Sequence, residues 1–261
     1  MSEKFMTYTL ITGASSGIGY ELAKIFARNK HNLVLVARTQ NKLQALKKEL
    51  EEEYAIEALV IPEDLSLPHA ARDLFQKTKD LKIDILVNNA GYGDHGTFAQ
   101  SDLKKQLGMI QVNVMALTEL THLYLGPMLH RKSGKIMNVA STAAFQPGPL
   151  MSVYYATKAF VLSFSEGLYE ELKHSGVTVT ALCPGPTLSG FQDTANFKNI
   201  PIMDRAPVPT SLQVAEYGYK ALMKGKLIAV HGTMNRIMAS SVRFAPRSVV
   251  RQLVMKLQEK R

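Results

Sequence analysis

Tyr154 and Lys158 stand four residues apart in the run Tyr154-Tyr155-Ala156-Thr157-Lys158. On a helix that spacing puts both side chains on one face. An ammonium beside a phenol favours phenolate and lowers the tyrosine pKa from about 10. Such a tyrosine passes a proton near neutral pH. Ser141, upstream, adds a hydroxyl. Tyr155 points elsewhere on the same helix and reads as packing.

These groups need a scaffold. Residues 136–139 form a short, mostly apolar run that stops at Ser141-Thr142, the pattern of a strand end. Gly148 between Pro147 and Pro149 marks a loop, and a helix pattern begins at Val153. It continues to about His174. Six further strands are expected at about 7–12, 33–37, 58–61, 83–87, 177–182 and 227–230. Helical patterns alternate with them, and the one over about 102–129 is expected to break near Gly126-Pro127. Thr39 or Asn41 is expected to cap the helix that follows the second strand. Alternation of this kind implies a parallel sheet with helices on both faces. We expect a single domain over residues 1–261, with a lid loop over about 187–210 and a basic C-terminal extension over about 231–261.

Gly13, Gly17 and Gly19 lie where the first strand passes into a helix. Glycine there allows a tight turn and lets backbone approach a pyrophosphate, with the helix N-terminus offering free N–H groups. The spacing is G-x-x-x-G-x-G, not the commoner G-x-G-x-x-G. The second strand ends Val36-Ala37-Arg38, where an NAD site usually places a carboxylate. A guanidinium would instead pair with a 2′-phosphate, so NADP(H) is the expected cofactor. Ser15 would add a hydroxyl to that phosphate.

Thr12-Gly13-x-x-x-Gly17-x-Gly19, Asp64-Leu65, Asn88-Asn89-Ala90-Gly91, Asn113, Ser141, Tyr154-x-x-x-Lys158 and Pro184-Gly185 occur in order along the chain. As a set they resemble the short-chain dehydrogenase/reductase family in its single-domain form, over about residues 5–230. The resemblance implies an α/β Rossmann fold, a doubly wound seven-stranded parallel sheet flanked by helices on both faces. It implies hydride transfer between a nicotinamide and a carbonyl or alcohol. Asn113, Ser141, Tyr154 and Lys158 would be catalytic. Tyr154 would be the general acid in reduction, and Lys158 would lower its pKa and hold ribose hydroxyls. Ser141 would steady the substrate oxygen, and Asn113 would hold a water linking Lys158 to solvent. The cofactor would meet Gly13, Ser15, Ser16, Gly17, Ile18, Gly19, Arg38, Asp64, Leu65, Asn89, Ala90, Gly91, Tyr154, Lys158, Pro184, Gly185 and Thr187. Among these, Asp64 would bond the adenine and Thr187 the carboxamide. For Asn88 a mainly structural role is expected.

Phe145, Leu150, Met151, Phe191, Phe197, Ile200, Ile202 and Met203 would give the substrate site mostly apolar walls. That suits a 3-oxoacyl, ketosteroid-like or xenobiotic ketone. The seven histidines never pair at metal spacing, so no catalytic metal is expected. With one cysteine, Cys183, no intramolecular disulfide can form. The net charge is +9, and +8 of it falls from Lys224 onward. Nucleic-acid binding is therefore not expected of the main fold. Val249, Val250, Leu253, Val254 and Leu257 would line one face of a basic C-terminal helix. That helix either docks on its own fold or a sister subunit, or touches an anionic membrane weakly. No signal peptide or membrane span is read, and a location in the cytoplasm, or peripheral at a membrane, is expected. The resemblance implies a homodimer or homotetramer, with the 102–129 helix and the Tyr154 helix supplying apolar faces. Two rival functions share the fold: a non-catalytic NADP(H) sensor, and a membrane-associated protein acting through its tail.

Overall fold

The computed structural model describes residues 6–191, 195 and 208–259. Seven strands form one parallel sheet in the order β3-β2-β1-β4-β5-β6-β7. They are β1 (Thr7–Thr12), β2 (Asn32–Ala37), β3 (Ala58–Pro62), β4 (Lys82–Asn88), β5 (Gly134–Val139), β6 (Val177–Cys183) and β7 (Ile228–Val230). The order reverses between β1 and β4. In sheets of this doubly wound Rossmann type, ligands bind outside the carboxyl ends of the strands at that reversal.

Strand period explains the two layers. Side chains alternate across a sheet, so each central strand must be apolar on both faces. Ile11, Leu33, Leu35 and Val87 point into one core with Leu22 and Phe26 of α1 (Gly17–Arg28) and Leu43 and Leu46 of α2 (Gln40–Tyr54). Leu10, Val34, Val36 and Leu86 enter the other core. There they meet Leu74 of α3 (Ala70–Thr78), Leu120 and Tyr124 of α5 (Leu117–His130), and Leu168 of α6 (Ser152–Glu171). Phe26 is fully buried, and truncating such a side chain to alanine costs about 3–5 kcal/mol. α7 (Ser211–Met223) packs beside α1, and a reciprocal capping box at Thr210 and Gln213 starts it.

The long helix departs from expectation. It does not break near Gly126-Pro127; α5 runs through Pro127 to His130. Pro127 is exposed and in the last turns, so the carbonyl it leaves unpaired, that of Leu123, is at a half-exposed residue that water reaches. The irregularity lies earlier. α4 (Leu103–Ile110), capped by the Asp102 carboxylate, passes into a π-helical stretch over Gln111–Ala116 before α5. Thr39 does occupy the cap position of α2, but its side chain makes no capping bond.

The C-terminal segment forms α8 (Thr233–Ser241) and α9 (Arg247–Gln258). α9 docks on the fold, along a line of Val250, Val254 and Gln258. The expected face is corrected accordingly: Val249 and Leu253 are more than half exposed, because the buried line follows an i, i+4, i+8 ridge turned away from them. No helix among the described residues is long and apolar enough to cross a membrane. Phe197, Ile200, Ile202 and Met203 of the expected lid lie outside the described residues. The lid's two ends are pinned together: Leu188 N donates to Pro209 O at 2.9 Å, and Ser211 Oγ donates to Leu188 O at 2.9 Å.

Candidate active site

The site is built where β1, β4, β5 and β6 end. The turn after β1 comes first. Gly13 and Gly17 adopt φ of +68° and +58°, which only glycine holds without strain. Gly19 has a different reason. A Cβ there would fall 2.3 Å from Gly13 O and 2.4 Å from Asn89 Nδ2, so helix and turn could not close up. Asn89 stitches the turn: its Nδ2 donates to Thr12 O at 2.9 Å and to Gly13 O at 3.2 Å. Thr12 Oγ1 accepts from the main-chain N–H groups of Asn89 and Ala90, both at 3.0 Å. The side-chain donors of Asn89 and the N–H of Ala90 thus fix the turn.

The turn delivers the start of α1, with Ser15 and Ile18 half-buried and Ser16 exposed. The first N–H groups of a helix have no partner within it, and they carry the positive end of its dipole. This cradle fits a dinucleotide phosphate. Arg38 is exposed at the end of β2, and among the described residues no ion pair is formed there. Asp64 is half-buried, with Oδ1 accepting from Ser66 N at 3.0 Å and Ser66 Oγ at 2.8 Å. Leu65 is buried in the core, so it can reach a ligand only through its main chain.

Asn113 sits inside the π-helical stretch and is 1% exposed. Its Oδ1 accepts from Tyr92 N at 3.2 Å, and its Nδ2 donates to Tyr92 O and Thr157 Oγ1, both at 3.0 Å. The side chain therefore ties the segment after β4 to the helix of Tyr154 and Lys158. Both its donors are used by protein, which leaves one acceptor position on Oδ1 for a water. A π turn in a helix frequently marks a functional position.

Ser141 follows β5 and accepts from Ala143 N at 3.1 Å. Tyr154 and Lys158 face the same side of α6, as their spacing requires. The Lys158 ammonium lies 5.8 Å from the Tyr154 ring centroid and donates to Val139 O at 2.7 Å. Gly91 passes close by; a Cβ there would meet Asn113 Oδ1 at 2.9 Å and Lys158 Nζ at 3.4 Å.

The electrostatics correct one expectation. Burial pushes the Tyr154 phenol above its ordinary value, the adjacent Ser141 hydroxyl opposes this, and Tyr155 adds slightly to it. Lys158 does not lower it in this structure. Its ammonium turns to the Val139 carbonyl, and burial pulls its own pKa down to about 8. A phenol so placed stays protonated at neutral pH.

Pro184 O accepts from Thr142 N at 2.8 Å and from Ser141 Oγ at 3.4 Å, joining the β6 loop to the Ser141 turn. Gly185 lets Asn235 of α8 approach; a Cβ would meet its Nδ2 at 2.4 Å. Thr187 is buried and donates to Gly185 O at 2.9 Å. Phe191 packs on Tyr154 with ring centroids 5.3 Å apart, so this residue of the expected apolar wall is at the site. Gly93 closes the wall: a Cβ there would meet Phe191, Met151 and Tyr154 at 2.8, 3.1 and 3.2 Å. Asn88, beneath, is structural, donating to Thr121 Oγ1 at 2.9 Å and Asn138 Oδ1 at 3.0 Å.

Sequence reasoning missed two residues beside the site, Gln258 and His95. Gln258 Nε2 donates to Tyr155 Oη at 2.6 Å, and the Gln258 carbonyl lies 2.8 Å from His95 Nε2. Tyr155 also packs over Gly148, whose Cβ would fall 2.1 Å from its ring. Only the pairing of α9 with the site reveals them, and nothing in the local pattern announces it.

The profile of the short chain dehydrogenase family matches residues 7–199. The very-long-chain 3-oxoacyl-CoA reductase of Anas platyrhynchos is 36% identical over 68% of this chain and 58% of that protein. The rat protein of the same name is 32% identical over 91% of this chain and 77% of its own length. The chain thus spans under two thirds of the duck relative. Among solved structures, a short-chain dehydrogenase from Sphingobium yanoikuyae in complex with NADPH is 33% identical, with a TM-score of 0.81 over 91% of this chain and 93% of that one. A 7beta-hydroxysteroid dehydrogenase is 26% identical, with a TM-score of 0.86 over 97% and 98%. With the family profile covering most of its length, and with these relatives, the chain belongs to the short-chain dehydrogenase family.

Proposed function

We propose that the protein is an NADP(H)-dependent oxidoreductase that reduces the carbonyl of a mostly apolar substrate, or oxidises the matching secondary alcohol. One observation carries this reading. Ser141, Tyr154, Lys158 and Asn113 lie together at the strand ends, on the same side of the sheet as the glycine turn after β1.

NADPH, when bound, supplies the hydride. Its phosphates would lie against the turn of Gly13, Ser15, Ser16, Gly17, Ile18 and Gly19, and Arg38 would pair with the 2′-phosphate. Asp64, Leu65, Asn89, Ala90 and Gly91 would border the adenosine, and Pro184, Gly185 and Thr187 the nicotinamide. The chain's own residues then manage charge and proton. Ser141 donates a hydrogen bond to the substrate oxygen and stabilises the charge that grows there. Tyr154 protonates that oxygen. Lys158 holds the ribose hydroxyls and, by its charge, steadies the phenolate left once the proton has gone. Asn113 keeps the Lys158 helix in register with the Tyr92 segment and, through Oδ1, would hold a water on the path to solvent.

NADP(H) over NAD(H) is supported by Arg38, by the missing carboxylate at the end of β2, and by the NADPH complex of the Sphingobium relative. An apolar substrate is supported by Phe191 and Met151 against Tyr154 and by relatives named 3-oxoacyl-CoA reductases. A 3-oxoacyl thioester, a ketosteroid or a xenobiotic ketone would suit such walls. A panel of these carbonyls with NADPH, read as loss of the reduced-cofactor absorbance, tests the reading; no turnover with any of them would defeat it.

Homodimerisation or tetramerisation is supported by exposed Leu103, Leu107, Ile110 and Met115 along the long helix and Phe160 on α6. Weak peripheral attachment to an anionic membrane is supported by Phe244, 89% exposed, and by Val249 and Leu253 beside Arg243, Arg247 and Arg251. Sedimentation with anionic vesicles at low and high salt tests that attachment.

A further inference from the structure

Four segments distant in sequence meet around the far side of Tyr154. The loop after β4 supplies Gly93, whose bare Cα faces Phe191, Met151 and Tyr154. Two residues on, His95 N donates to Ala195 O at 2.9 Å, and Gly96 N donates to Leu150 O at 2.8 Å. That loop is thereby knitted to the lid on one side and to the 148–151 loop on the other. The fourth segment is the end of α9. There Gln258 reaches both sides at once, through its carboxamide to Tyr155, which covers Gly148, and through its carbonyl to His95.

Gln258 is 2% exposed, in a helix whose other buried residues are valines. Its Oε1 is buried with no partner among the described residues. A packing position would take an apolar side chain there and avoid that cost. A glutamine is explained if its carboxamide bond to Tyr155 does something that valine or leucine cannot.

We propose that α9 is a strap over the outer end of the substrate pocket and that Gln258 is its latch, a positioning residue that sets how far an apolar substrate is enclosed. The proposal rests on the carbonyl-reductase reading for its substrate and on geometry alone for its strap. A small ketone occupies only the space beside Ser141 and Tyr154, so the latch does not concern it. A long-chain or fused-ring ketone extends past Gly93 and Phe191 to the wall that Tyr155 and His95 form, and it gains or loses affinity with that wall.

The test uses the full chain with Gln258→Leu, Tyr155→Phe and the double variant. Hydrogen exchange is read over residues 93–96 and 247–258, and steady-state kinetics with NADPH compare a small ketone with a long-chain one. Gln258→Leu should accelerate exchange in both segments, although they are far apart in sequence. It should raise KM for the long-chain ketone about fivefold, as expected for one lost hydrogen bond, and change kcat little. Tyr155→Phe should give the same KM shift, and the double variant no more than either single one, because both remove one bond. Exchange that changes in 247–258 alone, or in neither segment, overturns the strap. Equal KM shifts for small and long-chain ketones, or additive effects, overturn the latch. If the unaltered protein reduces no carbonyl, the functional reading fails and the exchange result still decides the strap.

Discussion

The Lys158 ammonium stands 5.8 Å from the centroid of the Tyr154 ring, yet its 2.7 Å hydrogen bond goes to the Val139 carbonyl. The pair shares a helix face, but each group is perturbed mainly by burial. The phenol is held protonated and the ammonium is weakened.

That pair fixes a pH dependence. The lysine pKa falls from 10.5 in the unfolded chain to about 8 in the folded one. Below pH 8 both states carry the proton, and the folded state bears the full cost of a buried charge. Between pH 8 and 10.5 only the unfolded chain stays protonated, so stability gains with rising pH. The gap corresponds to roughly 3 kcal/mol. We expect the difference in unfolding free energy between the native protein and Lys158→Met, in the absence of nucleotide, to shift toward the native protein by that order across this window. Denaturant melts at pH 7, 8, 9 and 10 measure it, and a difference that stays flat would show that the ammonium is not desolvated.

Arg38 decides the nucleotide. Its exposed guanidinium follows a strand end with no carboxylate. Replacing it by alanine should weaken NADPH by about 10- to 100-fold, the worth of a charge-assisted pair, and leave NADH nearly unchanged. Kinetic comparison of the two nucleotides checks this. Equal use of NADH and NADPH by the unaltered protein would end the assignment.

Gly19 tests the cradle. A methyl group there would need to displace the Gly13 carbonyl and the Asn89 carboxamide, both within 2.4 Å of it. Gly19→Ala should lower NADPH affinity by at least about tenfold and cost about 1–3 kcal/mol of stability through overpacking. Titration of nucleotide binding and a thermal melt measure the two effects. Unchanged affinity would mean that phosphates are not held at this turn.

The strands and their order of appearance were legible because each central strand is apolar on both faces, as in Leu33 to Val36, which is 0% exposed throughout. The glycines of the first turn were legible because their spacing has few other uses. The sign of the Tyr154 shift was not. Spacing places a lysine beside a tyrosine but says nothing of how deeply both are buried, and burial is the largest cause of both shifts. The π turn at Asn113 was visible only as a poor helix former between Val112 and Val114. Pro127 misled, because a proline near an exposed helix end costs little. Gln258 could not have been found, since its partners Tyr155 and His95 lie more than a hundred residues away.

The most direct measurement is NADPH oxidation by the native protein and by Tyr154→Phe with the carbonyl on which the native protein is most active, alongside NADPH binding by both. We expect the phenylalanine variant to bind NADPH within about threefold of the native protein and to lose at least about a hundredfold in kcat, the range for removing a general acid. A variant that kept most of its turnover would contradict the assignment of Tyr154 as the proton donor, and with it the chemistry proposed for this site.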